Sequence, residues 1–445
     1  MNREGNRDIK NRWRTGAALA ALGFAALTGT AMEARADAMT ADWKEGVTIS
    51  TENKDAKISF GGRVLFDMYF AKAGQHTEAT SGVAGVPPLG DEVRFRELRL
   101  QTEGVLWDNT EFKIQIDFAD TAKIAIKDTY VGIKDMGGGF GLRIGHFKEP
   151  FSLEELTSGR FVTFTARALP TGAFAPSRNM GFMIHNEKLM EGKASICAGI
   201  FRDTNDSGQF SDDDDLAYNL TGRLTFAPVL ENKGEQLVHV GFAYTHREPK
   251  GDQTDRANVV IKAKPELAYL SDNTFNTQTD AVDRDQRMGF EAAAQFASIS
   301  IQGEYYLAFL TIPGSDRRYN GWYGQASFFP TGEFRPYSPG GFKRVKPKSN
   351  VFQGGTGAIE LAIRYSNLNL IDDGNNAGAV ALANNGKKGN ALAAAVNWYL
   401  NPNVAFKLNY IFADLEDAEN PINSTRTALS NGSVHAIVFR AQADI

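Results

Sequence analysis

The chain has 445 residues and a formal net charge of −5, with 42% hydrophobic and 11% aromatic residues, 44 glycines and one cysteine. Beyond its N-terminal leader-like stretch it offers no run of eighteen or more consecutive apolar residues, which excludes a helical membrane protein, and its acidic balance argues against a nucleic-acid partner. Length alone would allow two or three soluble domains, but the mean hydropathy of −0.32 also suits a transmembrane β-barrel, in which half of each strand faces water.

Residues 1–36 have the form of a signal peptide. Arg3, Arg7, Lys10, Arg12 and Arg14 precede the apolar run GAALAALGFAALTGTA, and Ala34-Arg35-Ala36 has the small-x-small form of a cleavage site. A membrane anchor is the alternative, but the run is short and rich in Ala and Gly. No paired arginine occurs, so the general secretory route is expected rather than the twin-arginine one. Loss of residues 1–36, with six Lys/Arg and three Asp/Glu, takes the net charge from −5 to −8. Residues 37–56 read as a short N-terminal periplasmic segment, and residues 57–445 as one domain without a linker or a break in composition.

From residue 57 onward, period-two alternation recurs. In KISFGGRVLFDMYF, Ile58, Phe60, Val64, Phe66, Met68 and Phe70 oppose Ser59, Arg63, Asp67 and Tyr69. In EFKIQIDF, Phe112, Ile114, Ile116 and Phe118 oppose Lys113, Gln115 and Asp117. LVHVGFAYTHR sets Val238, Val240, Phe242 and Tyr244 against His239, Thr245 and Arg247, and IELAIRY sets Ile359, Leu361, Ile363 and Tyr365 against Glu360 and Arg364. The clearest hairpin is 390–412, where Leu392, Ala394, Val396 and Trp398 oppose Ala393, Ala395, Asn397 and Tyr399. After the turn Asn401-Pro402-Asn403 the alternation resumes, with Lys407 the one charge on its wet face. Spans of about ten residues joined by so short a turn are what a tilted strand needs to cross a bilayer. Charged residues amid apolar strands are costly toward lipid, so they are expected to face an aqueous lumen.

Short turns alternate with long polar connections near 72–91, 203–216, 248–256, 270–285, 371–389 and 414–431, the asymmetry expected of periplasmic turns and external loops. The chain ends inside an alternating strand, VHAIVFRAQADI, which suits closure of the last strand on the first. The fold class is therefore all-β: a transmembrane antiparallel β-barrel of about sixteen strands. Its terminal Ile445 stands where outer-membrane barrels usually carry an aromatic. Cys197 in ASICAGIF reads as a small strand residue, and six histidines without paired ligand spacing give little support to a metal site. No cofactor is expected. DSGQFSDDDDL (206–216) lacks the spacing of an EF-hand and reads as an exposed acidic loop.

Two long runs, GHFKEPFSLEELTSGRFVTFTARALPTGAFAPSRNMG (145–181) and GWYGQASFFPTGEFRPY (321–337), resemble the phosphate-selective porin O/P family of Gram-negative outer membranes. FKIQIDFAD, IKDTYVG, LTGRLTFAP and ELAIRYSNLNL support the resemblance. It implies a sixteen-stranded barrel, a homotrimer, and small phosphate-like anions carried down a central pore.

The segment 150–178 is too long for a turn and too apolar for a floppy loop, and mixed connections of this kind are structured and often functional. The resemblance implies that it folds inward and narrows the channel. Arg160 and Arg167 then either present guanidinium groups at the constriction, with Ser158 as a neutral partner, or pair with Glu154 and Glu155 and pin the loop. By alternation Arg63, Arg99, Lys113, Arg223 and Arg364 face the lumen, where they either form a ladder that concentrates anions or rigidify the wall through salt bridges. In VRFRELRLQTEG this chain has Glu97 where the family has a second adjacent arginine, which weakens strict phosphate selectivity. Asp128 falls on the parity of Tyr130 and is not oriented by alternation. Lys343, Arg344, Lys346 and Lys348 form a basic cluster placed either to funnel anions at a pore mouth or to contact lipopolysaccharide, in keeping with outer-membrane lipid as surroundings. The competing readings are a general or weakly selective porin, a barrel plugged by its own loop, and an outer-membrane barrel enzyme, for which His146 is the one histidine beside the loop.

Overall fold

The computed structural model describes residues 39–43, 46–51, 53, 55–73, 90–119, 123–205, 208, 218–249, 258–268, 275–277, 280–312, 315–372, 387–417 and 432–445. The leader-like residues 1–36 and most of the acidic run 206–216 lie outside them. The described chain is a closed antiparallel barrel of sixteen strands. In chain order these are β1 (Lys57–Ala73), β2 (Glu92–Leu106), β3 (Thr110–Asp117), β4 (Ala125–Ile126 and Thr129–Ile133), β5 (Gly141–Lys148), β6 (Arg178–Lys188), β7 (Ala194–Arg202) and β8 (Asn219–Glu231). They continue as β9 (Gln236–Arg247), β10 (Arg284–Phe296), β11 (Ile299–Ile312), β12 (Ser315–Phe328), β13 (Ala358–Asn369), β14 (Lys387–Tyr399), β15 (Val404–Asp417) and β16 (Gly432–Asp444).

The side-chain pattern explains why these segments form a wall. In β14, Leu392, Val396 and Trp398 are exposed on the outside, whereas Ala391, Ala393, Ala395 and Asn397 are buried on the inside. A barrel in lipid shows this inversion: large apolar groups face out and small or polar groups face in. The turn to β15 closes because the Asn401 side-chain oxygen accepts from the amides of Asn403 (2.8 Å) and Val404 (2.9 Å), a local bond that makes Asn a turn residue. Closure comes from β16 lying against β1, with Arg440 opposite Asp67. Gly62 and Ile445 exchange both backbone hydrogen bonds at 2.9 Å, so the terminal Ile445 still completes the seam. Below residue 62, the edge that β16 leaves is taken by Val47–Ser50, itself paired with Thr40–Trp43. Part of the expected segment 37–56 is thus a hairpin that continues the sheet.

Two irregularities set the facing of charged residues. The register of β1 and β2 shifts between Leu65 and Phe66, which leaves Arg96 without a partner, so that Arg94 opposes Asp67 while Glu97 opposes Leu65. One extra residue in this way lets both sides of the bulge send polar groups inward. The break in β4 lets Asp128 reach Arg178 inside the barrel, on the same side as Tyr130, which packs on Phe147.

The connections 107–109, 134–140, 189–193, 232–235, 297–298 and 400–403 share one rim with the C-terminus. Short turns identify that rim as the periplasmic one. Two segments enter the lumen from the opposite rim. Residues 149–177, with the short helices α1 (Leu153–Leu156) and α2 (Leu169–Phe174), bring Phe151, Phe164, Leu169 and Phe174 into a buried cluster with Tyr306 and Tyr323 of β11 and β12 and Ala391, Ala393 and Ala395 of β14. Ile261, Leu267, Phe275 and Val282 from the β9–β10 connection join the same cluster. The contact is close: a Cβ on Gly321 would lie 2.7 Å from Pro170. The sequence reading expects a wet inner face behind β14 and β15; the structure covers it with the loop, which is why that face is small.

A third insert comes from the periplasmic rim. Residues 329–357 turn upward, Tyr337 donates to or accepts from His239 Nδ1 at 2.8 Å, and the Phe342 amide donates to Thr157 Oγ1 at 3.2 Å. The inserts 149–177 and 329–357 therefore meet within the lumen, at Thr157 and Phe342.

Candidate functional site: a charged lumen wall

Inward-facing charges on β1 to β6 and the root of the loop form a connected set. Arg63 reaches Glu97 (2.5 Å) and donates to Ser158 Oγ (3.3 Å). Arg99 holds Glu97 at 3.0 Å and Asp117 at 2.6 Å. Lys113 pairs with Glu103 at 2.7 Å, one strand away. Arg178 takes Asp128 at 2.7 Å. Each cation thus has an acid on a neighbouring strand or across one strand, an arrangement that offsets the cost of placing a charge inside a barrel wall.

The loop is anchored by the same chemistry. Arg167 Nε lies 2.7 Å from Glu155 and its guanidinium also donates to the carbonyls of Glu154, Glu155 and Thr157. Lys148 holds Glu155 from the other side at 3.3 Å. Burial alone would push the Glu155 carboxyl up, but Arg167, Lys148 and Arg178 outweigh it and hold it below the usual carboxylate range. Burial wins at Glu154, which is pushed up in spite of Arg364. The first turn of α1 is met by a carboxylate of the wall: Glu304 accepts from the amides of Leu153 (3.0 Å) and Glu154 (2.8 Å) and from Tyr323 Oη (2.7 Å). This satisfies donors that the start of a helix leaves open.

The eight candidate residues do not form one site. Arg63, Arg99, Ser158, Arg160 and Arg167 gather around the β1–β2 wall and the loop, with Lys113 beside them on β3. Arg160 lies 4.0 Å from Asp444 and 4.7 Å from the Phe161 ring centroid. Arg223 is elsewhere, on β8, in a bidentate pair with Glu291 (2.8 and 2.6 Å) that is sealed from solvent. Arg364 on β13 is also sealed, between Glu154 (3.0 Å) and Glu266, with its guanidinium 4.3 Å from the Phe164 centroid. Side-chain exposure separates the groups: Arg160 18%, Arg167 24%, Lys113 18% and Arg178 15%, against 2% for Arg223 and 1% for Arg364.

Sequence reasoning overlooked Arg178, and also the pair Arg440–Asp67 (both bonds 2.6 Å) across the seam. Arg440 had a signal, since it shares parity with Val434, Ala436 and Val438. Arg178, as the first residue of β6, had no flanking alternation to orient it. In the basic cluster, Arg344 is buried against Asp444 (2.8 Å), and Lys343, Lys346 and Lys348 are exposed at the short-turn end. His146 Nδ1 lies 2.8 Å from the Lys127 carbonyl oxygen.

The sequence profile described as Phosphate-selective porin O and P matches residues 81–445. The chain belongs to this family. The porin is 25% identical over 419 residues to Porin O of Pseudomonas aeruginosa, covering 85% of this chain and 87% of that one. Its fold is similar to that of an anion-selective porin from Comamonas acidovorans (TM-score 0.52, 12% identity, 88% of this chain and 100% of that one). It is also similar to the outer membrane channel DcaP of Acinetobacter baumannii (TM-score 0.54, 9% identity, 89% and 99%). Family and fold together support an outer-membrane porin channel.

Proposed function

We propose that the channel passes small anions, phosphate-like oxyanions among them, along the β1–β6 side of the lumen. One observation carries this reading: inward cations that keep contact with solvent, Lys113, Arg143, Arg160, Arg167 and Arg178 among them, cluster on that wall and the loop facing it, while Arg287 on β10, at 13% exposure, stands apart. On the β11–β15 side the inner face is buried under the inserts. Guanidinium groups stay charged and match oxyanion geometry, and several moderate sites in series let an anion both enter and leave. The likeness to Porin O and to an anion-selective porin agrees with this.

A weakly selective channel is the second reading, favoured by Glu97, Asp117 and Asp128 on the same wall. Reversal potential of the purified porin in a salt gradient, with and without inorganic phosphate, separates the two. Anion preference together with inhibition of chloride current by phosphate supports the first reading. Anion preference without inhibition supports the second, and cation preference removes both. The homotrimer implied by the resemblance belongs to this reading; detergent-extracted protein that runs only as a monomer after cross-linking would exclude it.

A further inference from the structure

Building on the anion-channel reading, we propose that Arg178 is the residue that contacts a tetrahedral oxyanion in this channel, with Asp128 as its positioning residue. The argument is one of donors. An arginine carries five N–H groups, and two parallel bonds to one oxyanion need a free edge of the guanidinium. Most inward arginines have already committed that edge. Arg99 places Nε and Nη2 on Asp117 and Glu97 and Nη1 toward Gln115. Arg223 and Arg440 each give Nε and Nη2 to a single carboxylate. Arg167 spends Nε and Nη2 on Glu155 and the loop carbonyls, and Arg364 spends both amino groups on Glu154, Glu266 and the Ala166 carbonyl.

Arg178 differs. Its one side-chain hydrogen bond among the described residues runs from Nε to Asp128 Oδ1, at 2.7 Å. Nη1 and Nη2 make none, and neither is among the buried polar atoms left without a partner, so each keeps some solvent contact within a side chain that is 15% exposed. The Nη1–Nη2 edge, with its four N–H bonds, is the edge that accommodates two oxygens of a phosphate. Asp128 grips the opposite corner of the group and fixes its direction. The setting holds charges of both signs: Lys148 is the register partner of Arg178 across β5 and β6 and lies 3.3 Å from Glu155. Its place is mechanically apt, since Lys148 and Arg178 are the two ends of the chain from which the constriction loop 149–177 enters the lumen.

The test uses the full-length porin in planar bilayers, with inorganic phosphate as inhibitor of the chloride current at pH 7. R178Q is expected to weaken half-inhibition by phosphate about tenfold or more, and R178K by about fivefold while retaining the chloride-to-potassium permeability ratio, because lysine keeps the charge but lacks the fork. D128N is expected to raise chloride conductance, through loss of a negative charge, and yet weaken phosphate inhibition about threefold, through loss of orientation. A purely structural role for Asp128 would not split the two readouts in this way. Heat-modified migration of each variant confirms a folded barrel. Wild-type protein inhibited by phosphate, with R178Q inhibited equally, overturns the role of Arg178 and leaves the anion reading standing. Wild-type protein that conducts anions without phosphate inhibition overturns the oxyanion contact, and cation preference of the wild type overturns the reading beneath it.

Discussion

The two sides of this lumen are built from the same alternating strands and end up as opposite environments. On the β11–β15 side, Tyr306, Tyr323, Ala393, Ala395 and Ile411 meet Phe151, Phe164 and Phe174 of the loop in a core that excludes water. On the β1–β6 side, Arg63, Glu97, Arg99, Asp117, Lys113 and Arg178 are tied by ion pairs, several of which reach solvent. An inward-facing residue is therefore not a water-facing one. What covers it decides, and here the cover is an insertion anchored to one wall by apolar packing and to the other by charge.

The largest effect is expected where that core is cut. Tyr306 stacks between Phe151 (6.3 Å) and Phe174 (6.1 Å), and its hydroxyl meets Ser152 Oγ (3.0 Å) and Thr171 Oγ1 (2.9 Å). Tyr306→Ala should cost about 3–5 kcal/mol, as for other buried aromatic truncations, and should loosen the loop. A lower unfolding temperature with larger, noisier single-channel steps is expected. Lys113→Gln on the other wall removes a half-buried pair and should cost less than about 1 kcal/mol. If the two variants melt alike, the contrast between the sides is wrong.

Next in size is the sealed pair Arg223–Glu291. Glu291→Gln leaves a guanidinium buried without its counter-charge, at a cost of about 3–5 kcal/mol. Because both side chains are hidden from the lumen, reversal potential should stay where it is. A shift in selectivity would show that Arg223 is part of the conducting path, contrary to its burial.

Much of this contrast was legible in the sequence, and its limits have physical causes. Alternation placed Arg63, Arg99, Arg223, Arg364 and Asn397 inside, because the period of a strand leaves no other choice. It could not tell that Arg364 and Arg223 are sealed while Lys113 is wet, because that depends on residues 149–177 and 329–357 arriving from opposite rims. Ala391, Ala393 and Ala395 read as a neutral wet face when they are seats for a loop. Glu97 was legible as an acid beside arginines; that it bridges Arg63 and Arg99 follows from the register that sets Arg63 opposite Arg99, and pairing of strands is something alternation within one strand does not reveal.

A smaller effect is expected from acid. Glu155 is the acid gripped by Lys148 and Arg167, and its carboxyl is held below its ordinary value by Arg167, Lys148 and Arg178 against the opposing effect of burial. A depressed carboxylate contributes stability that is complete above the unfolded value, about 4.3, and is lost as pH falls through the folded value. The loop should therefore hold from neutral pH down to about pH 4 and loosen below it. Open-channel noise should rise on acidification of the wild type to pH 3, and Glu155→Gln should show that noise already at pH 7. A wild type equally quiet at both would remove Glu155 as an anchor.

The smallest change asks whether the charged wall is neutral by design of its pairs. Glu97 sits between Arg63 (2.5 Å) and Arg99 (3.0 Å), and Arg99 keeps Asp117 when Glu97 is gone, so Glu97→Gln removes one negative charge without stranding Arg99. Among the described residues Arg63 then keeps Ser158 as its side-chain partner, and one of its N–H groups becomes available to the lumen. Two charges a few ångströms apart interact by a few kcal/mol at a surface-like dielectric and much less across water, so the effect on a passing ion is modest. An increase of about twofold in anion-to-cation permeability is expected at low salt, shrinking as salt rises and the Debye length falls below about 10 Å. Lys113→Gln should move the ratio in the opposite direction by a similar amount. If Glu97→Gln leaves the ratio unchanged while Lys113→Gln lowers it, ions pass along β3 and not along the β1–β2 wall, and the path is narrower than the wall that bears the charges.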